Sequence, residues 1–131
     1  MMSMPTITAQ EIRTLQADET RKDTFVIVDV RSESESDVSV IPGAITQAEF
    51  NRTAENHQGK KVITYCTIGV RSGKFARKLI RQGWTASNYE GSIIDWCENS
   101  LPLVTHDGTE TNQVHTYSSR YSVPNEYEAI H

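Results

Sequence analysis

At 131 residues, with 37% hydrophobic and 23% charged side chains, the chain suits one compact domain with a single core and leaves little room for a second. A formal net charge of −4 with no basic run argues against a nucleic-acid partner, because phosphate binding needs Lys and Arg gathered on one face. No apolar stretch approaches the roughly 20 residues that span a bilayer, and two cysteines are too few for a disulfide framework and lie too far from any His/Cys cluster for zinc.

In chain order, Thr8-Ala9-Gln10-Glu11 has the form of a capping box, and Ile12, Leu15 and Gln16 continue a short helix that ends near Asp18. The run Phe25-Val26-Ile27-Val28-Asp29-Val30 is apolar almost throughout and rich in β-branched residues, as in a parallel strand buried on both faces. From Arg31 to Val40 the chain is Ser- and acid-rich, a solvated loop with at most one helical turn. Ile41-Pro42-Gly43-Ala44-Ile45 then breaks direction, and Gln47 to His57 is weakly helical. Lys61-Val62-Ile63-Thr64-Tyr65 is a second strand that runs straight into Cys66.

After Ser72 a helix is expected, with Phe75, Ala76, Leu79 and Ile80 on one stripe and Lys74, Arg77, Lys78 and Arg81 outside it as a solvated face. Gly83 supplies its stop. Ala86–Tyr89 reads as a short strand and Ser92–Cys97 as a short helix with Ile93, Ile94 and Trp96 in the core. From Leu101 the periodicity is lost, which predicts a tail that wraps the domain and frays, with Val114, Tyr117 and Tyr121 available to dock it on the domain or on a partner. Strands alternating with helices indicate an α/β fold around a mostly parallel sheet. The whole chain, residues 1–131, is expected to be one domain with its core over about 8–104 and a tail over 105–131.

In such sheets ligands bind beyond the carboxyl ends of the strands. Cys66 stands there, between a buried strand and a helix, and Gly69 lets the intervening loop curl with φ above zero. A curled loop entering a helix turns backbone N–H groups inward, an anion nest reinforced by the helix dipole. A thiolate in that nest has a depressed pKa and attacks near neutral pH. Arg71, at the far end of the loop, carries a planar fork that suits a sulfur oxyanion or another tetrahedral anion. Cys97 reads as a core filler, and none of His57, His106, His115 and His131 has metal spacing, so neither a metal nor an organic cofactor is expected.

The segments Val28-Asp29-Val30-Arg31, Ile41-Pro42-Gly43-Ala44, Tyr65-Cys66-Thr67-Ile68-Gly69-Val70-Arg71-Ser72 and Tyr89-Glu90-Gly91-Ser92-Ile93-Ile94-Asp95-Trp96 together resemble the rhodanese homology domain, in that family's order and over about residues 8–104. The resemblance implies a three-layer α/β/α domain around a mostly parallel five-stranded sheet. It also implies a persulfide on Cys66, with Thr67, Ile68, Gly69, Val70, Arg71 and Ser72 binding the sulfur and its anionic donor. Asp29 and Arg31 match the family's structural pair beside the loop, where support rather than catalysis is expected. Cys66 and Arg71 enclose four residues, a loop sized for sulfur, whereas the family's phosphatase and arsenate-reducing relatives carry one residue more.

The expected reaction is therefore transfer of a sulfane sulfur from thiosulfate or a similar small anionic donor, or from a protein persulfide, to a thiol or cyanide. A persulfide carrier or regulatory binding module without turnover is the alternative, and Cys-dependent phosphatase or arsenate reductase chemistry the weaker one. Met1 to Pro5 lacks a charged segment followed by an apolar run, so a cytoplasmic monomer, free of membrane contact, is expected.

Overall fold

The two β-branched runs form the centre of the sheet. In the computed structural model, which describes residues 4–131, β1 (Phe25–Asp29) and β3 (Lys61–Tyr65) pair in parallel, Phe25 beside Lys61 and Asp29 beside Tyr65. Residues 1–3, on which the reading of the chain's start partly rests, lie outside the described residues. A two-residue strand β2 (Ile45–Thr46) flanks β1, and β4 (Thr85–Asn88) flanks β3, giving the all-parallel order β2-β1-β3-β4.

Side chains alternate across these strands and so assign the two faces. Val26, Val28, Val62 and Ala86 face one layer, where α3 (Gln47–Arg52) contributes Phe50 and α4 (Val70–Arg81) contributes Phe75, Ala76 and Leu79. Ile27, Ile63 and Tyr65 face the other, against Ile12 of α1 (Ala9–Ala17) and Ile93 and Trp96 of α5 (Ser92–Glu98). The fold is thus the expected α/β sandwich. The capping box of α1 is present in full, with Glu11 N–H donating to the Thr8 hydroxyl and Thr8 N–H to the Glu11 carboxylate. Within the loop after β1, one turn of helix forms, α2 (Glu33–Ser36).

Five strands were expected and the sheet has four. The fifth place, beside β4, is held by a single parallel bridge between Thr6 and Asn88, with Ile7 N–H donating to the Asn88 carbonyl at 3.1 Å and Asn88 N–H to the Pro5 carbonyl at 2.9 Å. Pro5 has no N–H to extend the ladder, and three residues later Thr8 caps a helix, so pairing stops where it starts.

The tail also departs from expectation. It folds back in two short ladders, β5 (Leu103–Val104) antiparallel to β6 (Glu110–Thr111) and β7 (Gln113–His115) parallel to β8 (Glu128–Ile130). Val104 exchanges two backbone hydrogen bonds with Val40, at 2.8 and 3.0 Å. Val114 is fully buried, and the Tyr127 hydroxyl donates to the Leu101 carbonyl at 2.5 Å. Tyr117, one of the expected docking residues, is largely exposed but rests its ring against the Arg71 guanidinium. Strands of two and three residues are too short to show an alternation, which is why the sequence pattern gives no sign of them.

Candidate active site around Cys66

Strand β3 ends at Tyr65 and α4 begins at Val70, so Cys66 opens the turn between them at the carboxyl edge of the sheet. Gly69 caps α4 in the left-handed region, φ +92°, and a Cβ there would run into the Glu90 carbonyl oxygen. Both facts demand glycine.

The loop's carbonyl groups are pinned outward. Ile93 N–H donates to the Cys66 carbonyl at 3.0 Å and Ile94 N–H to that of Thr67 at 3.3 Å. The Gly69 carbonyl accepts from the Asn88 side-chain amide and from Gly73 N–H, both at 3.0 Å. Asn88 is itself oriented by the Thr64 hydroxyl, 3.1 Å away. With carbonyls held outside, N–H groups turn inward. Gly69 N–H donates to Cys66 Sγ at 3.1 Å, and the Ser72 hydroxyl donates to the same sulfur at 3.3 Å.

Burial pushes the Cys66 thiol up, but the Ser72 hydroxyl and amide, the Gly69 amide and the Arg71 charge outweigh it, leaving its pKa below the ordinary thiol value. Cys97 has burial without such donors and is pushed up to about 12, so at neutral pH it is an inert thiol. The geometry therefore provides one nucleophilic sulfur and one core filler.

Of the residues expected to bind substrate, Thr67, Ile68, Gly69, Val70, Arg71 and Ser72 are all gathered around Cys66, but in different roles. Ile68 and Val70 turn their side chains outward. Arg71 is not free to grip a donor anion with its fork, as its position in the sequence predicts. Its two terminal nitrogens lie 2.8 and 3.0 Å from the two Glu35 oxygens, and one also donates to the Thr67 hydroxyl at 3.1 Å. A bidentate partner satisfies the planar fork, so Arg71 fixes the loop and lends charge to the sulfur from the side.

Glu35 is the residue that the sequence reading missed. It is buried on α2 and also accepts from the Ser32 hydroxyl at 2.8 Å and the Ser32 N–H at 3.1 Å. Its burial opposes ionisation, yet Arg71 and Ser32 hold its carboxyl down at about 2. Ser32 and Glu35 have capping-box spacing, but nothing local links Glu35 to an arginine 36 residues on. Ser92 is a second such residue. At φ +55° its hydroxyl accepts from Cys66 N–H at 3.0 Å and donates to the Tyr89 carbonyl at 2.9 Å, tying the loop to the start of α5.

Asp29 and Arg31 lie beneath the loop as a fully buried ion pair, 2.7 Å apart. Asp29 also accepts from the Tyr65 hydroxyl at 2.6 Å, and Tyr65 in turn accepts from Ile41 N–H at 3.1 Å. Arg31 donates to the Ser39 carbonyl at 2.6 Å and the His115 carbonyl at 3.4 Å. The pair thus joins β1, β3, the Ile41 turn and the tail. Neither side chain has a hydrogen bond to Cys66.

This geometry can be set beside known proteins. The tRNA uridine(34) hydroxylase of Bacillus mycoides (strain KBAB4) is 29% identical over 114 residues, covering 79% of this chain and 35% of its own. The chain thus spans about a third of the length of the curated relatives it matches. Among solved structures, thiosulfate sulfurtransferase from Pseudomonas aeruginosa superposes with a TM-score of 0.67 at 23% identity, over 81% of this chain and 21% of that one. A Rhodopseudomonas palustris protein of unknown function, described as a possible tyrosine phosphatase, superposes at 0.65 with 23% identity, over 76% and 84%. At that identity both show a shared fold only. The family model for the rhodanese-like domain matches residues 8–99, from the α1 cap through the Cys66 loop to the end of α5, and the chain belongs to that family.

Proposed function

We propose that the protein is a sulfurtransferase that carries a sulfane sulfur on Cys66. The observation that carries this reading is the pair of hydrogen bonds aimed at Cys66 Sγ, from Gly69 N–H and the Ser72 hydroxyl, in a loop of family length. They favour the thiolate and need no separate general base.

With thiosulfate as the simplest donor, the Cys66 thiolate attacks the outer sulfur. The new S–S bond forms as the donor's S–S bond breaks, and its electron pair leaves on sulfite. The persulfide left on Cys66 is then attacked at its terminal sulfur by a thiol or cyanide, which regenerates the thiolate. Charge passes from the Cys66 sulfur to the departing sulfite within reach of the free N–H groups in the first turn of α4. A carboxylate-filled Arg71 leaves these amides as the main anion binders. The hydroxylase activity of the longer relatives is not carried over, since this chain matches only a third of their length.

The test is intact-mass spectrometry after incubation with thiosulfate, then with cyanide, using Cys66→Ser as control. The wild type alone should gain one sulfur and discharge it as thiocyanate. Thiocyanate turnover retained by Cys66→Ser would overturn the mechanism. A stable sulfur adduct without turnover would identify a carrier instead.

A further inference from the structure

Three large apolar side chains are left in solvent among the described residues: Ile68, Val70 and Tyr117, at 42, 58 and 60% exposure. All three border the Cys66 loop. Ile68 and Val70 belong to it, and they line one cleft of about 440 Å³ with Lys74 and Arg77. Tyr117 reaches the loop from the tail, beyond the residues matched by the family model. Its backbone is left-handed, φ +70°, a conformation that non-glycine residues rarely adopt. His115 Nδ1 holds its N–H at 3.0 Å, and its ring lies over the Arg71 guanidinium, 5.0 Å from the ring centre.

Beside this apolar collar runs a row of charge. Lys74, Arg77, Lys78 and Arg81 stand exposed on one face of α4, a helix without a single acidic residue in a chain of net charge −4. None of the four is ion-paired among the described residues, and Glu90 is the one carboxylate lining the adjoining cleft. A small inorganic anion gains nothing from an apolar collar. Clustered exposed apolar side chains beside a functional site mark contact with a macromolecule. Ile68 and Val70 offer no face for base stacking, and the Tyr117 ring already has one face against the Arg71 guanidinium, which favours a protein over single-stranded RNA.

Resting on the sulfur-transfer reading above, we propose that the donor is an acidic protein that presents a cysteine persulfide on an exposed loop. Apolar residues flanking that cysteine meet Ile68, Val70 and Tyr117, and carboxylates meet the cationic row of α4. The Cys66 thiolate attacks the donor's terminal sulfur. One S–S bond forms on Cys66 as the donor's own S–S bond breaks, and the donor cysteine leaves as a thiolate that takes up the proton released by the more acidic Cys66 persulfide. Sulfane sulfur and charge are conserved, so no oxidant or reductant enters.

Synthetic peptides with one cysteine persulfide test this, with sulfur gain on Cys66 followed by intact mass. One peptide carries apolar and acidic flanks, a second replaces the acids with lysines, and a third replaces the apolar residues with glycine. At low salt the first should load Cys66 at least about tenfold faster than either other, and its lead over the second should shrink as salt rises. In an Arg77→Glu, Lys78→Glu protein with an unchanged circular dichroism spectrum, the acidic and lysine peptides should exchange rank. Equal rates for all three peptides, with thiosulfate still loading Cys66, would overturn the docking proposal alone. Failure of thiosulfate and every peptide to load would take down the sulfur-transfer reading with it. If peptide rates are unranked and an unmodified tRNA transcript blocks thiosulfate loading, the face is an RNA site and the proposal falls.

Discussion

Ser72→Ala isolates the device that makes Cys66 reactive. The substitution removes one oxygen atom from a fully buried position and leaves the Ser72 and Gly69 amides in place. A hydrogen bond to a charged group is worth about 1.5–3 kcal/mol, and at 3.3 Å to sulfur the lower end applies. About 1.5 kcal/mol corresponds to roughly one pKa unit, upward. Below both titration midpoints the variant then holds about tenfold less thiolate. A more basic thiolate is also the better nucleophile, by about half an order of magnitude per order of magnitude in basicity, so the net loss is about threefold. Above both midpoints the sign reverses, and the variant should react faster. Alkylation by iodoacetamide, read by mass spectrometry across pH, checks this directly, because Cys97 at about 12 stays protonated in that window. Curves that share one midpoint and never cross would refute the claim that the Ser72 hydroxyl stabilises the thiolate.

Glu35→Gln should cost about 2 kcal/mol in a urea titration at pH 7, below the 3–5 kcal/mol typical of a broken buried pair because the Arg71 side chain is 37% exposed. The wild type's Glu35 titrates at about 2 against 4.5 when unfolded, so its contribution is complete above about pH 4.5 and fades as pH falls toward 2. The variant should lack that part of the acid limb, and parallel acid limbs would refute the linkage. Val114→Ala should cost about 2 kcal/mol, as for other truncations of fully buried aliphatic side chains, whereas a loss under about 0.5 kcal/mol would mean that the tail adds nothing to the fold.

What could be read from the sequence was whatever is encoded within a few neighbours. The strand at Lys61–Tyr65 and the α1 cap fall where the pattern puts them, because β-branched runs and Thr-x-x-Glu spacing act locally. The position of Cys66 and the need for Gly69 were legible for the same reason: strand, Cys, Gly and helix are consecutive. Arg71 was located but its pairing with Glu35 was not, since a guanidinium fork is equally suited to an oxyanion and to a carboxylate, and only the fold brings α2 against the loop. The fifth strand was an inference from family likeness, and Pro5 at its start removed the donor it needed. The tail was misread because its anchors are isolated residues. Val114 is one buried aliphatic between exposed Gln113 and half-buried His115, and such a residue carries no period.

The two arginines near the loop divide its electrostatics. Arg31 is fully buried and spent on Asp29, with two further donors given to the Ser39 and His115 carbonyls. Arg71 is spent on Glu35 and stacked under Tyr117. Both guanidinium groups are engaged by carboxylates, so in the proposed transfer the charge is balanced by fixed dipoles, which are already aligned and need no reorganisation as it moves from Cys66 to the leaving group. The mobile cations lie instead along α4, in solvent, where salt screens them. Chemistry and capture are thereby placed on separate terms: raising salt should slow the arrival of an acidic donor while leaving the loop's hold on its own sulfur nearly untouched.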